Sequence, residues 1–439
     1  MGLMSELTNN IRNDEKNYGY NKDQFMFHTG FKLFDFMNGQ AVYNSKKKAE
    51  EYLTGIDAGK SIMIVGPTGS GKTTLGLQLA ASIMQKYDES TLFIFDFEQS
   101  HTKARIQAVT GFSDEYLDSH VEIKKVGIYT DTVLKLVNQI ASFKKQHVKE
   151  LLTPNKEGVL NESGEPVKIM PPTFVFIDSI ASMRPREANE GDELSSLTFG
   201  GRNAIANKDL FNRLLQPCME ANIIVIAINH ITQNMSMGVT PPKASTRYLK
   251  NTEAVGGGSG IQYLCNLWLK VEPGNKLEEK DKYGIKGFVG QITVVKSRNS
   301  EGGRSIDMIF NQREGFDEDL SEFEFLNANK AIKGAGVGMY LENLPTTKFR
   351  MSTIKEKLAT DQEFSKEFHR LTNELLKDSI SISSRVQFQT EANAEARASG
   401  EVMDVAKINA EAGKAEAADN GVVPFPANAV PENSANLNE

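Results

Sequence analysis

The stretch Gly66-Pro67-Thr68-Gly69-Ser70-Gly71-Lys72-Thr73 follows the apolar run Ser61-Ile62-Met63-Ile64-Val65 and precedes a helical pattern. A strand, a glycine-rich loop and a helix in this order are the context in which the pattern G-x-x-x-x-G-K-[ST] binds phosphate. The glycines let successive backbone N–H groups turn towards one phosphate, and the helix N-terminus adds the positive end of its dipole. We therefore predict a nucleotide site made of Gly66, Pro67, Thr68, Gly69, Ser70, Gly71, Lys72, Thr73 and Thr74.

Two residues of this loop have separate expected tasks. Lys72 is expected between the β- and γ-phosphates, and the Thr73 hydroxyl is expected to ligate Mg²⁺. The predicted cofactors are therefore a nucleotide and Mg²⁺, and the family resemblance given below implies that the nucleotide is ATP.

Composition narrows the class of protein. The chain of 439 residues is 39% hydrophobic and 24% charged, which is typical of a globular protein. It contains no apolar run of about 18 residues and no apolar N-terminal signal segment, so we predict no membrane span and a cytoplasmic location. Cys218 and Cys265 lack the spacing of a metal site or a disulfide framework and are expected to be buried thiols.

The net charge of −7 is concentrated at one end of the chain. Residues 391–439 hold nine acidic and three basic side chains, which leaves the rest of the chain close to neutral at −1. A near-neutral body can still carry a local basic surface for nucleic acid. The composition of residues 390–439 predicts a disordered acidic tail, either inert or competing with nucleic acid for that surface.

Three apolar strand patterns end in polar residues. Thr91–Asp96 leads to Glu98, Thr173–Ile177 ends in Asp178, and Asn222–Ile228 runs into Asn229 and His230. Chemistry in parallel α/β sheets is placed at such carboxyl ends. We favour Asp178 as a Mg²⁺ ligand through water, with a helix cap as the ordinary alternative. Glu98 stands where chemistry is expected, and a helix cap or a solvated charge is its ordinary alternative.

Alternating strands and helices from residue 60 to 310 predict an α/β fold with a mainly parallel central sheet. Further patterns predict a helical stretch over 117–149, a surface loop over 151–170, and strands over 263–271, 290–296 and 306–310. Long loops are predicted over 184–201 and 231–260, with a helix between residues 202 and 221. The predicted domains are an N-terminal arm (1–28), an ATPase core (29–325), a small helical C-terminal region (326–389) and the tail (390–439).

The order of these elements over residues 28–330 resembles the RecA family, most closely the UvsX-type recombinases of bacteriophages. The resemblance implies that Glu98 polarises the attacking water, that Asp178 is the Walker B aspartate, and that His230 senses the γ-phosphate. It also implies that Lys296 and Arg298 reach the γ-phosphate of a neighbouring subunit. Because residues two apart on a strand face one side, the pair suits that task, although a solvated sheet edge is the alternative.

The two long loops correspond to the DNA-binding loops of that family. They contain few aromatic residues, so contact with backbone phosphate is expected rather than base stacking, and any single residue could be ordinary loop surface. The expected DNA-binding residues are Arg184, Arg186, Gly200, Gly201, Arg202, Met235, Met237, Lys243, Arg247, Lys250, Gly256, Gly257 and Gly258.

One departure from the family concerns the contact with the adenine base of the nucleotide. Where the family often stacks an aromatic residue on adenine, this chain has His101-Thr102-Lys103-Ala104-Arg105, so either Arg105 stacks or the base contact differs.

The resemblance implies a DNA-dependent ATPase that forms filaments on single-stranded DNA and exchanges strands with duplex DNA. Loader and single-strand-binding proteins are the expected partners, and the host cytoplasm is the location if the chain is phage-encoded. A ring helicase with a RecA-type core (DnaB-like) and a non-hydrolysing recombination mediator are the alternatives.

Overall fold

A computed structural model describes residues 25–44, 49–161, 163–186, 196–233, 246–256, 259–280 and 283–380. The predicted arm, as far as residue 24, and the predicted acidic tail lie outside these ranges. The helices are α1 (Lys32–Met37), α2 (Lys72–Met84), α3 (Lys103–Thr110), α4 (Asp114–His120), α5 (Thr130–Gln146), α6 (Val148–Leu151), α7 (Ser196–Ala221), α8 (Ser259–Leu264), α9 (Glu318–Ala328), α10 (Ile354–Thr360) and α11 (Gln362–Asp378).

The strands follow the same chain order. They are β1 (Met26–Phe27), β2 (Gln40–Asn44), β3 (Ala49–Leu53), β4 (Ile56–Asp57), β5 (Ser61–Gly66), β6 (Thr91–Asp96), β7 (Val121–Lys124), β8 (Thr153–Pro154), β9 (Lys168–Ile169), β10 (Thr173–Asp178), β11 (Ile223–Gln233), β12 (Glu253–Val255), β13 (Leu267–Leu277), β14 (Gly287–Ser297), β15 (Ser305–Asn311), β16 (Gly315–Asp317), β17 (Ile332–Lys333), β18 (Met339–Leu341) and β19 (Leu344–Phe349).

A ten-stranded sheet forms the centre of the described chain. Its order is β16-β15-β14-β13-β5-β11-β10-β6-β7, and β12 pairs with β11. The six strands from β13 to β7 run parallel, whereas β14, β15, β16 and β12 are antiparallel to their neighbours. The predicted α/β fold with a mainly parallel sheet is confirmed.

Strands β5 and β10 are buried along their whole length because helices cover both faces of the sheet. On one face Ile62 and Ile64 pack with Leu75 and Leu79 of α2. On the other face Val175 packs in a cluster with side chains of α5 and α7. Burial on two faces explains why these strands read as continuous apolar runs rather than as alternating ones.

The register of the parallel strands brings their carboxyl ends to one edge. Asp178 of β10 lies opposite Asp96 of β6, and His230 of β11 lies opposite Gly66 of β5. Glu98 follows β6 by two residues. The residues predicted from three separate strand ends therefore meet where the glycine loop begins.

The sequence predicted a small helical C-terminal region, but this region also contains strands. Strands β17, β18 and β19 form an antiparallel sheet that shares a core with α9, α10 and α11. Phe349, Phe364 and Phe368 lie at the centre of that core, each almost fully buried. A sheet of such short strands is stabilised by its tertiary packing, which local sequence patterns do not encode.

Three predicted boundaries were wrong. Helix α7 begins at Ser196, so Gly200 and Gly201 lie in a helix and not in a loop. The stretch 117–149 is not one helix, because residues 121–124 leave the helical conformation and pair with β6 as the edge strand β7. The stretch predicted as a strand from residue 263 begins with the end of α8, and β13 starts only at Leu267.

The predicted loops 151–170 and 231–260 also contain structure. The first holds a two-stranded hairpin, β8 with β9, and in the second β11 extends to Gln233 and pairs with β12. Within the described ranges, no helix combines the length and the apolarity that crossing a membrane requires.

Candidate nucleotide site

The glycine loop joins β5 directly to α2. Gly71 is the N-cap of α2 and has φ of +88°, a conformation that glycine adopts without steric cost. Gly66 is required for another reason: a Cβ atom there would lie 2.2 Å from the Val271 carbonyl oxygen of β13. The loop therefore sits tightly between the sheet and the first turn of α2, whose free N–H groups point out of the helix end.

Lys72 is buried in this loop, and its ammonium group donates a hydrogen bond to the Pro67 carbonyl at 2.7 Å. Burial lowers the pKa of Lys72, while the nearby carboxylates of Asp178 and Glu98 oppose that shift. Pro67, Thr68 and Gly69 are exposed at the tip of the loop. A cation under an exposed arch of backbone amides is an arrangement that binds anions.

The residues predicted to hold Mg²⁺ come together in the structure. The Thr73 hydroxyl donates to Asp178 Oδ2 at 2.8 Å, and Asp178 is buried at the end of β10. Hydroxyl and carboxylate oxygens are the ligands that Mg²⁺ prefers, usually together with water and nucleotide phosphates. Among the described residues, no group of three or more His, Cys, Asp or Glu side chains is placed to hold a metal ion.

The loop also contains an unsatisfied donor. The Ser70 hydroxyl is buried and has no hydrogen-bond partner among the described residues. With the Thr73–Asp178 pair and the Lys72 cation, this is the donor set expected of a site for a magnesium–nucleotide complex. When bound, Mg²⁺ would neutralise phosphate charge, and Thr73 and Asp178 are the residues that would hold it.

Glu98 is oriented by two neighbours. Its Oε1 accepts a hydrogen bond from the Ser179 hydroxyl and lies 2.8 Å from His230 Nε2. Both Glu98 and His230 keep about three tenths of their side chains exposed, so water reaches them. A carboxylate that is held in place and open to solvent has the position that activation of a water molecule needs.

His230 also connects the site to the second long loop. The backbone N–H of His230 donates to the side-chain oxygen of Asn229 at 2.9 Å, and the Asn229 amide donates to the Gly256 carbonyl at 2.8 Å. Gly256 is at the exit of the loop predicted to bind DNA. One short chain of contacts therefore joins Glu98 to the end of that loop.

Lys296 and Arg298 do not join this cluster. The Lys296 ammonium donates to the carbonyls of Gln262, Tyr263 and Cys265, and Arg298 donates to the Tyr263 carbonyl. These carbonyls lie at the C-terminal end of α8, where the helix dipole attracts cations. Burial and the charge of Arg298 lower the pKa of Lys296. Both cations thus contact the Tyr263 carbonyl near the end of α8.

The residues predicted to bind DNA are found in several settings. Arg184 follows β10 on the surface, and the Arg186 guanidinium lies over the Tyr129 ring at 5.3 Å. Arg202 is exposed on α7 and Arg247 is exposed before β12, whereas Lys250 pairs with Glu272 at 3.1 Å. The remaining predicted residues lie outside the described ranges: Met235, Met237, Lys243, Gly257 and Gly258.

Two side chains after β6 approach the site in ways that the sequence did not predict. The Arg105 guanidinium donates to the Gln312 and Arg313 carbonyls and to the Thr74 hydroxyl, which holds it beside the start of α2. His101 Nε2 lies 3.1 Å from Asp178 Oδ2. The sequence offered no signal for the second contact, because the two residues are 77 positions apart and His101 stands in an irregular polar turn.

Several known proteins resemble parts of this chain. The family model described as type III restriction enzyme, res subunit, matches residues 33–160. The chain is 24% identical to Protein RecA of Wolbachia sp. subsp. Drosophila simulans (strain wRi) over 324 residues, 74% of this chain and 78% of that protein. It is 26% identical to Protein RecA of Sulfurovum sp. (strain NBC37-1) over 219 residues, 49% of this chain and 50% of that protein.

A further relative, Protein RecA of Caulobacter vibrioides (strain NA1000 / CB15N), is 23% identical over 261 residues, 60% of each chain. The match to the first of these RecA proteins extends over about three quarters of the chain. The range 33–160 of the family model includes the glycine loop and Glu98. The chain is therefore similar to RecA proteins at a level of 23–26% identity.

Proposed function

We propose that this protein is a Mg²⁺-dependent, DNA-dependent ATPase that forms helical filaments on single-stranded DNA and promotes homologous pairing and strand exchange. The observation that carries the proposal is the contact between Glu98 and His230, continued through Asn229 to Gly256. These four residues connect the proposed hydrolysis site to the loop proposed to bind DNA. A change in structure at the hydrolysis site can therefore reach the loop through two or three contacts, and the reverse is also true.

In the proposed reaction Lys72 holds the phosphates, and Thr73 and Asp178 hold Mg²⁺. Glu98 orients the attacking water, with Ser179 and His230 keeping its carboxylate in place. In this scheme His230 would lie beside the γ-phosphate of bound nucleotide, and its contacts with Asn229 would carry a change at the nucleotide to the loop exit. Within the RecA family, the histidine at this position supports the UvsX type and, with it, a phage origin.

The proposed DNA contacts are mainly to phosphate. Arg184, Arg186, Arg202 and Arg247 are all exposed, which suits contact with a sequence-independent backbone. Lys250 would have to leave Glu272 to take part. Binding through such cations releases counterions, so affinity for single-stranded DNA should fall steeply as the salt concentration rises.

We further propose that nucleotide is bound between subunits, with Lys296 and Arg298 serving the γ-phosphate of the neighbour. The α8 carbonyls that hold these cations carry no full charge, so a triphosphate competes well for them. Hydrolysis would then depend on assembly. Repeated head-to-tail contacts of this kind build an open helix when the rotation does not close.

The first test is ATP hydrolysis with and without single-stranded DNA, together with electron microscopy of the same samples. The proposal predicts hydrolysis stimulated by DNA and continuous helical filaments. Hexameric rings that unwind forked DNA would instead identify a ring helicase. DNA binding without turnover would identify a recombination mediator.

A further inference from the structure

His101 is one of the most buried polar residues next to the site, with 3% of its side chain exposed. It lies three residues after Glu98, and its Nε2 atom is 3.1 Å from Asp178 Oδ2. The same Oδ2 atom accepts the hydrogen bond of the Thr73 hydroxyl at 2.8 Å. One carboxylate oxygen is thus shared by the Thr73 hydroxyl of α2 and the His101 imidazole from the turn that follows β6.

The imidazole is held firmly by its surroundings. The backbone N–H of His101 donates to Asp96 Oδ2 at 2.9 Å, and the His101 carbonyl accepts a hydrogen bond from Lys125. The ring packs edge-on against Phe176, with centroids 5.7 Å apart and planes at 81°. Asp96 itself is fully buried, so its hydrogen bond anchors the turn that contains His101 to the core.

This geometry defines what the imidazole does. An ionised carboxylate only accepts hydrogen bonds, so the proton that joins the two groups belongs to His101 Nε2. Two donors on Oδ2 restrict rotation of the Asp178 carboxyl group about its last bond. The Thr73 hydroxyl, having used its proton on Asp178, keeps its lone pairs for another ligand.

We propose that His101 is a positioning residue that holds the Asp178 carboxylate in the orientation needed to bind Mg²⁺ with nucleotide. The inference rests on the proposed function, since it concerns the same magnesium–nucleotide site. Outer-sphere hydrogen bonds of this kind typically change metal affinity by about 10- to 100-fold when they are removed. His101 does not touch the nucleotide in this scheme, and its effect is exerted through Asp178.

The test is a Mg²⁺ titration of nucleotide binding, followed with a fluorescent ATP analogue in the absence of DNA. His101→Phe keeps an aromatic ring against Phe176 but has no donor, so the half-saturating Mg²⁺ concentration should rise by about tenfold or more. His101→Gln places an amide N–H at a similar distance from the backbone and should restore the value to within about threefold of wild type. Binding of the analogue in EDTA should be the same for all three proteins.

Phe176→Leu is the matched control, because it removes the ring contact and leaves the hydrogen bond to Asp178. It should lower the melting temperature without changing the half-saturating Mg²⁺ concentration. A folded His101→Phe protein with a wild-type Mg²⁺ requirement would overturn the inference. If His101→Phe does not fold, a raised Mg²⁺ requirement in His101→Gln overturns it instead. Failure of the proposed function is separate: rings that unwind DNA, or DNA binding without turnover, would contradict that function, whereas the Mg²⁺ titration depends only on nucleotide binding.

Discussion

Two groups of charged residues were predicted from the sequence to serve one reaction, and the structure places them in different environments. At the carboxyl ends of β5, β6 and β10, Lys72 lies near the carboxylates of Asp178 and Glu98. Lys296 of β14, two strands from β5, and Arg298, one residue after β14, are held by backbone carbonyls of α8. Carboxylates compensate a cation, whereas carbonyl dipoles compensate it only in part.

The difference shows that a single chain assembles the group around Lys72 by itself, but does not bring Lys296 and Arg298 to it. At the glycine loop, the carboxylates of Asp178 and Glu98 compensate the charge of Lys72, and contacts within the chain orient each of these residues. The Lys296–Arg298 pair keeps positive charge that an anion from outside the chain can still neutralise. This supports the proposed role of the pair at a subunit interface, and it yields experiments that treat the two groups separately.

The largest expected effect comes from the double substitution Lys296→Ala with Arg298→Ala. If the pair serves a neighbouring γ-phosphate, DNA-stimulated ATP hydrolysis should fall by about 10³- to 10⁵-fold, as for other arginine fingers. Binding of a nucleotide analogue by the dilute protein should persist, because the pair is held at α8 and not at the glycine loop. Steady-state hydrolysis and analogue fluorescence measure the two quantities.

Lys276→Ala is the control for that variant. Lys276 is an exposed lysine of the neighbouring strand β13 and pairs with Glu278 at 3.3 Å. Its removal should leave hydrolysis unchanged. If the double variant also keeps hydrolysis within about threefold of wild type, the Lys296–Arg298 pair has no part in the reaction.

A somewhat smaller loss is expected for Glu98→Gln. The amide keeps the shape of the side chain but cannot accept a proton, so the turnover number should fall by about 10²- to 10⁴-fold while DNA binding is retained. Glu150→Gln is a matched control, since Glu150 also pairs with a histidine, His147, at 2.8 Å on the surface. Unchanged turnover in Glu98→Gln would remove Glu98 from the mechanism.

Mixing the two inactive proteins provides a sharper test. In an equimolar mixed assembly with head-to-tail contacts, about one contact in four joins an intact Glu98 to an intact Lys296–Arg298 pair. Hydrolysis should therefore recover to about a quarter of the wild-type rate, although neither protein is active alone. No recovery in assemblies shown to contain both proteins would mean that both groups act within one chain.

The smallest effect concerns Lys144, a buried lysine with no proposed role in the reaction. Like Lys296 it is held by neutral groups, donating to the Pro171 carbonyl at 2.6 Å and to the Thr173 hydroxyl at 3.1 Å. Burial lowers the pKa of Lys144 to about 7 from 10.5. Between these values the unfolded chain binds more protons than the folded one, so this residue makes the free energy of unfolding rise with pH.

Lys144→Met should remove that contribution, which is at most about 1.4 kcal/mol per pH unit. Urea unfolding at pH 7.5 and pH 9.5 compares the change in stability of the variant with that of wild type. Lys135→Met, at an exposed position of the same helix, should behave as wild type. If the free energy of unfolding changes equally with pH in wild type and in Lys144→Met, the pKa of Lys144 is not lowered by folding.

The sequence predicted the sheet well where the strands are buried on both faces. β5, β6, β10 and β11 are continuous apolar runs that end in polar residues, and such runs identify central strands without knowledge of their neighbours. The short elements were harder. β7 has only four residues at the sheet edge, and β17 to β19 acquire their partners from distant parts of the chain.

The candidate site divides in the same way. The glycine loop, Asp178, Glu98 and His230 were predicted because each stands in a recognisable local pattern. His101 was missed, because a single histidine in a polar turn has no pattern and its contact with Asp178 depends on the pairing of β6 with β10. The partners of Lys296 were also unpredictable, since they are carbonyls of a helix whose residues were read as the start of a strand.

By itself the sequence determined the nucleotide loop, the α/β class and the identity of the strand-end residues, because these follow from local composition and periodicity. Only the tertiary structure decided which of those residues meet. Strand register brought Asp178, Glu98 and His230 to the glycine loop and directed Lys296 and Arg298 to α8. Register and packing arise from contacts between residues far apart in the chain, and local patterns carry no information about them.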